Sequence, residues 1–226
     1  MITGGTRAAP ATTAGPGAPR LTGSFRAGIR LVRLYATGRR IPAALTVIVA
    51  CALGLRIALT GHWDSYGALQ LPLVFEAVAA TAIAATAASP LGEPERLTGR
   101  WLPYLRLAAT LALTAAAVGA LAAAGTGAHL AGGTLDVLRN LAGMTGIGLL
   151  CAAALGGRLA WAGPTAYLVV GVYGLQTQWH PPALTTPWIW PARPPHDLGA
   201  AICAALVFTI GMAVITARGA RDPAGE

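Results

Sequence analysis

Apolar positions gather into six long runs, at residues 41–60, 66–88, 101–124, 135–157, 159–175 and 198–217. Each approaches the ~20 residues that a helix needs to cross a bilayer. The runs are rich in Ala and Leu and do not alternate, so they read as helices rather than strands. Short polar segments separate them. The pattern predicts an all-α polytopic membrane protein with six transmembrane helices, occupying residues 41–218.

The segment before the first run has a different period. Phe25, Ile29, Val32 and Ala36 recur at helical spacing, and Arg26, Arg30 and Arg33 recur one position later. Apolar and cationic stripes therefore lie on different faces of one helix. Residues 24–40 are expected to form an amphipathic interfacial helix, capped by Ser24 and resting its arginines on lipid phosphates. A solvated basic linker is the competing reading. Residues 1–23, rich in Gly, Pro, Ala and Thr, are too polar and too broken to build a core and are expected to be a disordered tail. Residues 219–226 form a second short tail.

Composition sharpens this picture. Hydrophobic residues make up 55% of the 226 and charged residues 11%, against about 25% charged in soluble domains. That excludes an ordinary soluble enzyme. Net charge is +8 and every one of the 16 cationic residues is Arg. Without Lys there is no Walker A loop in this chain. The basic balance serves the membrane rather than nucleic acid: with the N-terminus inside, 12 arginines fall on the inner side, while Arg193 alone falls in an outer loop. This asymmetry predicts that both termini are cytoplasmic. The six Trp residues fall at expected interfaces or outer loops, as an aromatic belt requires.

Three arginines, Arg56, Arg106 and Arg139, sit within runs, as does Glu76. Glu76 lies near the middle of the second run, ~15 Å deep at 1.5 Å per residue. An ionisable group there costs roughly 3 kcal/mol and must face the bundle, pair or protonate. Arg56 and Arg106 are its candidate partners. Glu76, Arg56 and Arg106 form the candidate translocation set; a packing pair is the alternative. Pro72 is expected to kink the helix carrying Glu76. Asp136 and Arg139 read as a local pair on the fourth helix. Gly143, Gly146 and Gly148 lack a preceding strand, so they read as close-packing positions rather than a nucleotide loop.

Two loops stand out. Residues 89–100 (SPLGEPERLTGR) concentrate Glu93, Glu95, Arg96 and Arg100 on the inner side. The outer segment 176–197 holds six Pro residues with Trp179, Trp188 and Trp190. Its proline density forbids a regular helix, and its tryptophans are expected to bury themselves as a re-entrant or interfacial hairpin. Asp197 can cap the last helix. Cys51, Cys151 and Cys203 lie inside apolar runs and read as small buried residues. His62, His129, His180 and His196 lack metal-ligand spacing. No metal site, paired catalytic carboxylates or nucleophile is expected.

In order, a basic amphipathic helix, two spans, a charged inner loop, three spans, an aromatic outer hairpin and a final span resemble the permease subunit of exporter-class, type-2 ATP-binding-cassette (ABC) transporters. SPLGEPERLTGRWLPYLRL and LRNLAGMTGIGLL are similar to small permeases from GC-rich bacteria. The resemblance covers residues 24–218. It implies that residues 24–40 are the connecting helix and that 89–100 (Glu93, Glu95, Arg96 and Arg100) form the coupling loop. The 176–197 segment would be the outer re-entrant element. It also implies a separate ATPase chain that binds the ATP, a second permease copy or homologue, and a plasma-membrane location. The coupling loop is short for that class. A non-enzymatic scaffold or accessory subunit, and a small proton-coupled carrier using Glu76, are the other two readings.

Overall fold

The computed structural model describes residues 36–61, 65–87, 102–127, 130, 132–176 and 186–218. Most of those residues are helical, with no strand among them. Six helices follow in order: α1 Ile41–Leu59, α2 Ser65–Thr86, α3 Leu102–Ala124, α4 Gly133–Leu155, α5 Ala162–Gln176 and α6 Leu198–Arg218. Two 3-10 turns, Gly157–Leu159 and Trp190–Ala192, precede α5 and α6. Residues 36–38 are helical and lead into α1 through a turn at Arg39 and Arg40.

Four of these helices contain stretches long and apolar enough to cross a membrane: Ile41–Leu59, Pro103–Ala124, Gly133–Leu155 and Leu198–Arg218. The second run forms a helix of 22 residues, whose described apolar stretch is Gln70–Thr86. The fifth run yields a helix of 15 residues, about 22 Å at 1.5 Å per residue, against a hydrocarbon core of about 30 Å. Ahead of it, α4 ends at Gly156, at φ 94°, and the 3-10 turn Gly157–Leu159 takes the first residue of the run. A backbone in that conformation cannot continue a helix, and glycine adopts it without a steric penalty.

The distribution of side chains is that of a protein dissolved in lipid. On α1, Leu45, Val49, Leu53 and Ile57 point outward at four-residue spacing, and on α6 Leu198, Ile202, Leu206 and Ile210 do the same. Continuous apolar stripes of this kind mark contact with membrane or protein. Inward faces carry smaller groups, including Ala44 and Cys51 on α1 and Ala200, Ala204 and Gly211 on α6. Of the four long helices, α4 is the least apolar and the most buried. Burial in water selects apolar residues; in lipid the bundle interior is where polar groups are least costly.

Small residues set the helix spacing around α4. A Cβ on Gly146 would lie 2.6 Å from the Phe208 Cα and the Val207 carbonyl oxygen. One on Gly148 would lie 2.7 Å from the Ala84 Cβ of α2 and 3.2 Å from Pro164 of α5. Without lipid-excluding hydrophobic force, such close backbone approach supplies the van der Waals contact that holds the bundle. Two threonines of α3 satisfy themselves locally: Thr110 donates to the Arg106 carbonyl at 2.9 Å and Thr114 to the Thr110 carbonyl at 2.8 Å.

Candidate intramembrane polar site

Glu76 lies near the middle of α2, and its side chain is 1% exposed. It faces α4. Asn140 of α4 lines the same cavity as the carboxyl, and the charges of Asp136 and Arg139 act on it from the same helix. Asp136 and Asn140 are four residues apart and so share one face of α4. One carboxyl oxygen, Oε2, is buried with no hydrogen-bond partner among the described residues. Beside it is a cavity with about 20 Å³ of room for the centre of a water molecule, lined by Pro72, Glu76, Asp136 and Asn140 and reaching Gly132 and Gly133 at the start of α4.

Arg139 forms the other half of the site. Its Nη2 pairs with Asp136, as the i, i+3 spacing predicts. Its Nη1 donates to the Pro194 carbonyl at 2.8 Å, and its Nη2 also reaches the Arg193 carbonyl at 3.2 Å. Its Nε lies 3.5 Å from the Asn140 Oδ1. One guanidinium thus joins the carboxyl cluster to the segment that precedes α6.

That segment is folded into the bundle. Trp190 is 2% exposed, whereas Trp188 is 52% exposed. The Trp190 ring stacks on Tyr167 of α5 with centroids 4.4 Å apart, and the Tyr167 hydroxyl donates to the Trp188 carbonyl at 2.7 Å. Glycines make the room. A Cβ on Gly143, midway along α4, would strike the Trp190 ring at 2.5 Å. One on Gly174 would lie 2.6 Å from Ile189, and one on Gly171 3.3 Å from Pro191. Asp197 closes the segment. It pairs with Arg193 and accepts from the Gly199 and Ala200 amides at 2.8 and 3.2 Å, capping α6. Burial pushes its carboxyl up, but the Ala200 amide and the Arg193 guanidinium outweigh this and hold it below the ordinary aspartate value.

The sequence expectation offered Arg56 or Arg106 as partner for Glu76; the structure places Asp136 and Asn140 beside it on the wall of one cavity. Arg56 donates to the Ala124 carbonyl at 3.2 Å and also to that of Thr126, so it closes the C-terminal end of α3. The charged groups that act on Glu76 are Asp136 and Arg139. Of the three outer tryptophans, Trp190 enters the core and Trp188 stays exposed; Trp179 lies outside the described residues, as do Arg26, Arg30 and Arg33, and Glu93, Glu95, Arg96 and Arg100. Sequence reasoning missed Asn140. It is the only Asn of the chain and stands one turn beyond Asp136, a signal that was available.

Comparison with protein-family models, curated proteins and solved structures finds no match for this chain.

Among the described residues no three His, Cys, Asp or Glu side chains gather where they could hold a metal ion. The chemistry on offer is that of a buried carboxyl beside a neutral ion pair. Asp136 and Arg139 cancel, so an ionised Glu76 leaves the cluster with one uncompensated negative charge.

Proposed function

We propose that this chain is the membrane-spanning permease subunit of an ABC export system of the type-2 class. It works with a separate ATPase and a second permease copy. In this reading all six helices α1–α6 cross the plasma membrane with both termini cytoplasmic. Residues 24–40 lie in the inner interface, and 89–100 meet the ATPase. The observation that supports it is the Trp190 turn, which folds back between the last two helices to Gly143 at the middle of α4. The resemblance expects a re-entrant element at this place in the chain.

Purification of the tagged chain from native membranes tests the proposal. An ABC ATPase should co-purify in fixed stoichiometry, and charge reversal at Glu93 and Glu95 should uncouple ATP hydrolysis from transport while leaving insertion intact. Recovery of the chain without any ATPase, after mild solubilisation and crosslinking, would overturn it.

A second reading, a proton-coupled carrier, is favoured by Glu76, because carriers place ionisable groups at such depths along substrate and ion pathways. Proton uptake by proteoliposomes containing this chain alone would select it.

A further inference from the structure

The cluster between α2 and α4 contains a carboxyl with an unused oxygen, a small void beside it and one charge too many. An unpaired charge at this depth costs roughly 3 kcal/mol on insertion scales. A polar buried atom without a partner adds its own desolvation penalty of about 1–3 kcal/mol. Both penalties fall if Glu76 carries a proton and if a water occupies the void. About 20 Å³ of water-centre space exceeds the roughly 10–15 Å³ that one water needs. Glu76, Asp136 and Asn140 supply the two to four polar partners that such a water requires.

We propose that Glu76 is an exchangeable proton site, served by one water in the cavity that leads to Gly132 and Gly133. On release, the Oε2–H bond breaks, the electron pair stays on the carboxylate and the proton leaves on the water as hydronium. The Asn140 amide, on the wall of the same cavity, then steadies the carboxylate. Divalent cations do not suit the void, since Ca²⁺ and Mg²⁺ take six or more oxygens and only three of the side chains lining it, Glu76, Asp136 and Asn140, carry any.

The charges around the site are few. From α4, Asp136 and Arg139 face Glu76, paired with each other. α1 contributes Arg56, engaged with carbonyls at the end of α3; α3 contributes Arg106 near its opposite end. α5 carries Tyr167, committed to the Trp188 carbonyl, and Tyr173, exposed on the outer surface of the bundle. α6 carries Cys203 and, in its last turn, Arg218. Pro72, one turn from Glu76, lines the cavity with an apolar ring. The proposal holds for an ATPase-driven permease or a carrier, and its test involves no ATPase.

Dicyclohexylcarbodiimide provides the test. It takes the proton of a protonated carboxyl in an apolar site, and the carboxylate oxygen then adds to its central carbon, leaving an adduct readable by mass spectrometry. The full chain in lipid nanodiscs is labelled across a pH series without added sodium. Labelling of the Glu76 peptide should fall about tenfold per pH unit above its midpoint, as a one-proton titration requires. Infrared difference spectra of the unmodified protein should show a protonated-carboxyl band lost over the same range. That band should be absent in Glu76→Gln, and its midpoint should shift in Asn140→Leu. The wild-type titration decides even if either variant fails to fold. Absence of both labelling and band, or labelling that does not change with pH, overturns the proposal. Protection by sodium at fixed pH also overturns it and assigns the cavity to a monovalent cation.

Discussion

Gly146 of α4 and Gly211 of α6 meet backbone to backbone: a Cβ on Gly211 would lie 2.6 Å from the Gly146 carbonyl oxygen and 3.0 Å from its Cα. No side chain separates the two helices at this crossing. Neither backbone can yield without parting the helices, so this contact fixes the distance between the most buried helix and the last one.

Gly146→Ala should therefore destabilise the bundle by about 1–3 kcal/mol, the usual cost of overpacking a filled interior. Gly119→Ala on α3 is the control, because a Cβ there meets nothing within 4 Å; it should be neutral or stabilising by about 0.5–1 kcal/mol. Thermal unfolding in detergent, followed by a thiol-reactive dye at the buried Cys51, measures both. Equal melting of the two variants would contradict the assigned crossing.

The two described tryptophans of the outer segment should behave oppositely. Trp190→Ala empties a pocket formed by Gly143 and Tyr167 and should cost about 3–5 kcal/mol. Trp188→Ala alters an exposed surface and should stay within about 0.5 kcal/mol. The same unfolding assay ranks them, and a larger loss at Trp188 would reverse the assignment of which ring is inserted.

How much of this was legible depends on the interaction. The last helix was readable almost to the residue, because an apolar run flanked by Asp197 and Arg218 defines its ends. The shortened α5 was not, because Gly156 breaks the chain through a backbone angle that composition does not display. The depth of Glu76 followed from counting along its run. Its neighbours did not: periodicity says which face a residue occupies but not which helix packs there, and it is the small residues of α4, Gly148 against Ala84, that bring α2 alongside Asn140. Trp188 and Trp190 looked equivalent, since their pocket is made by glycines on other helices.

Arg139 couples the cluster to the inserted segment. Arg139→Met should leave Asp136 without its cation and two carbonyls without a donor, at a cost of about 3–5 kcal/mol. Asp136→Asn in the same background should recover part of that loss, because it removes the stranded charge. A double-mutant cycle should give a coupling of about 0.5–3 kcal/mol. Strict additivity would show that the pair contributes no joint stability.

Asp197 supplies the pH-dependent part of that anchorage. Its carboxylate is held below the ordinary value of 3.8 despite its burial, by the Ala200 amide, the Arg193 guanidinium and the Gly199 amide. The folded state thus binds the proton more weakly than the unfolded chain does, so the carboxylate contributes stability in full above pH 3.8. That contribution is lost as pH falls from there through the lower folded value. Asp197→Asn should cost less than Asp197→Ala, because Asn still caps α6; the alanine variant should lose about 0.5–2 kcal/mol at neutral pH. On acidification the gap between wild type and Asp197→Ala should narrow, while a neutral-pH gap that persists unchanged through the acid range would show that the charge of Asp197 plays no part. Circular dichroism melts in detergent across that range make the comparison.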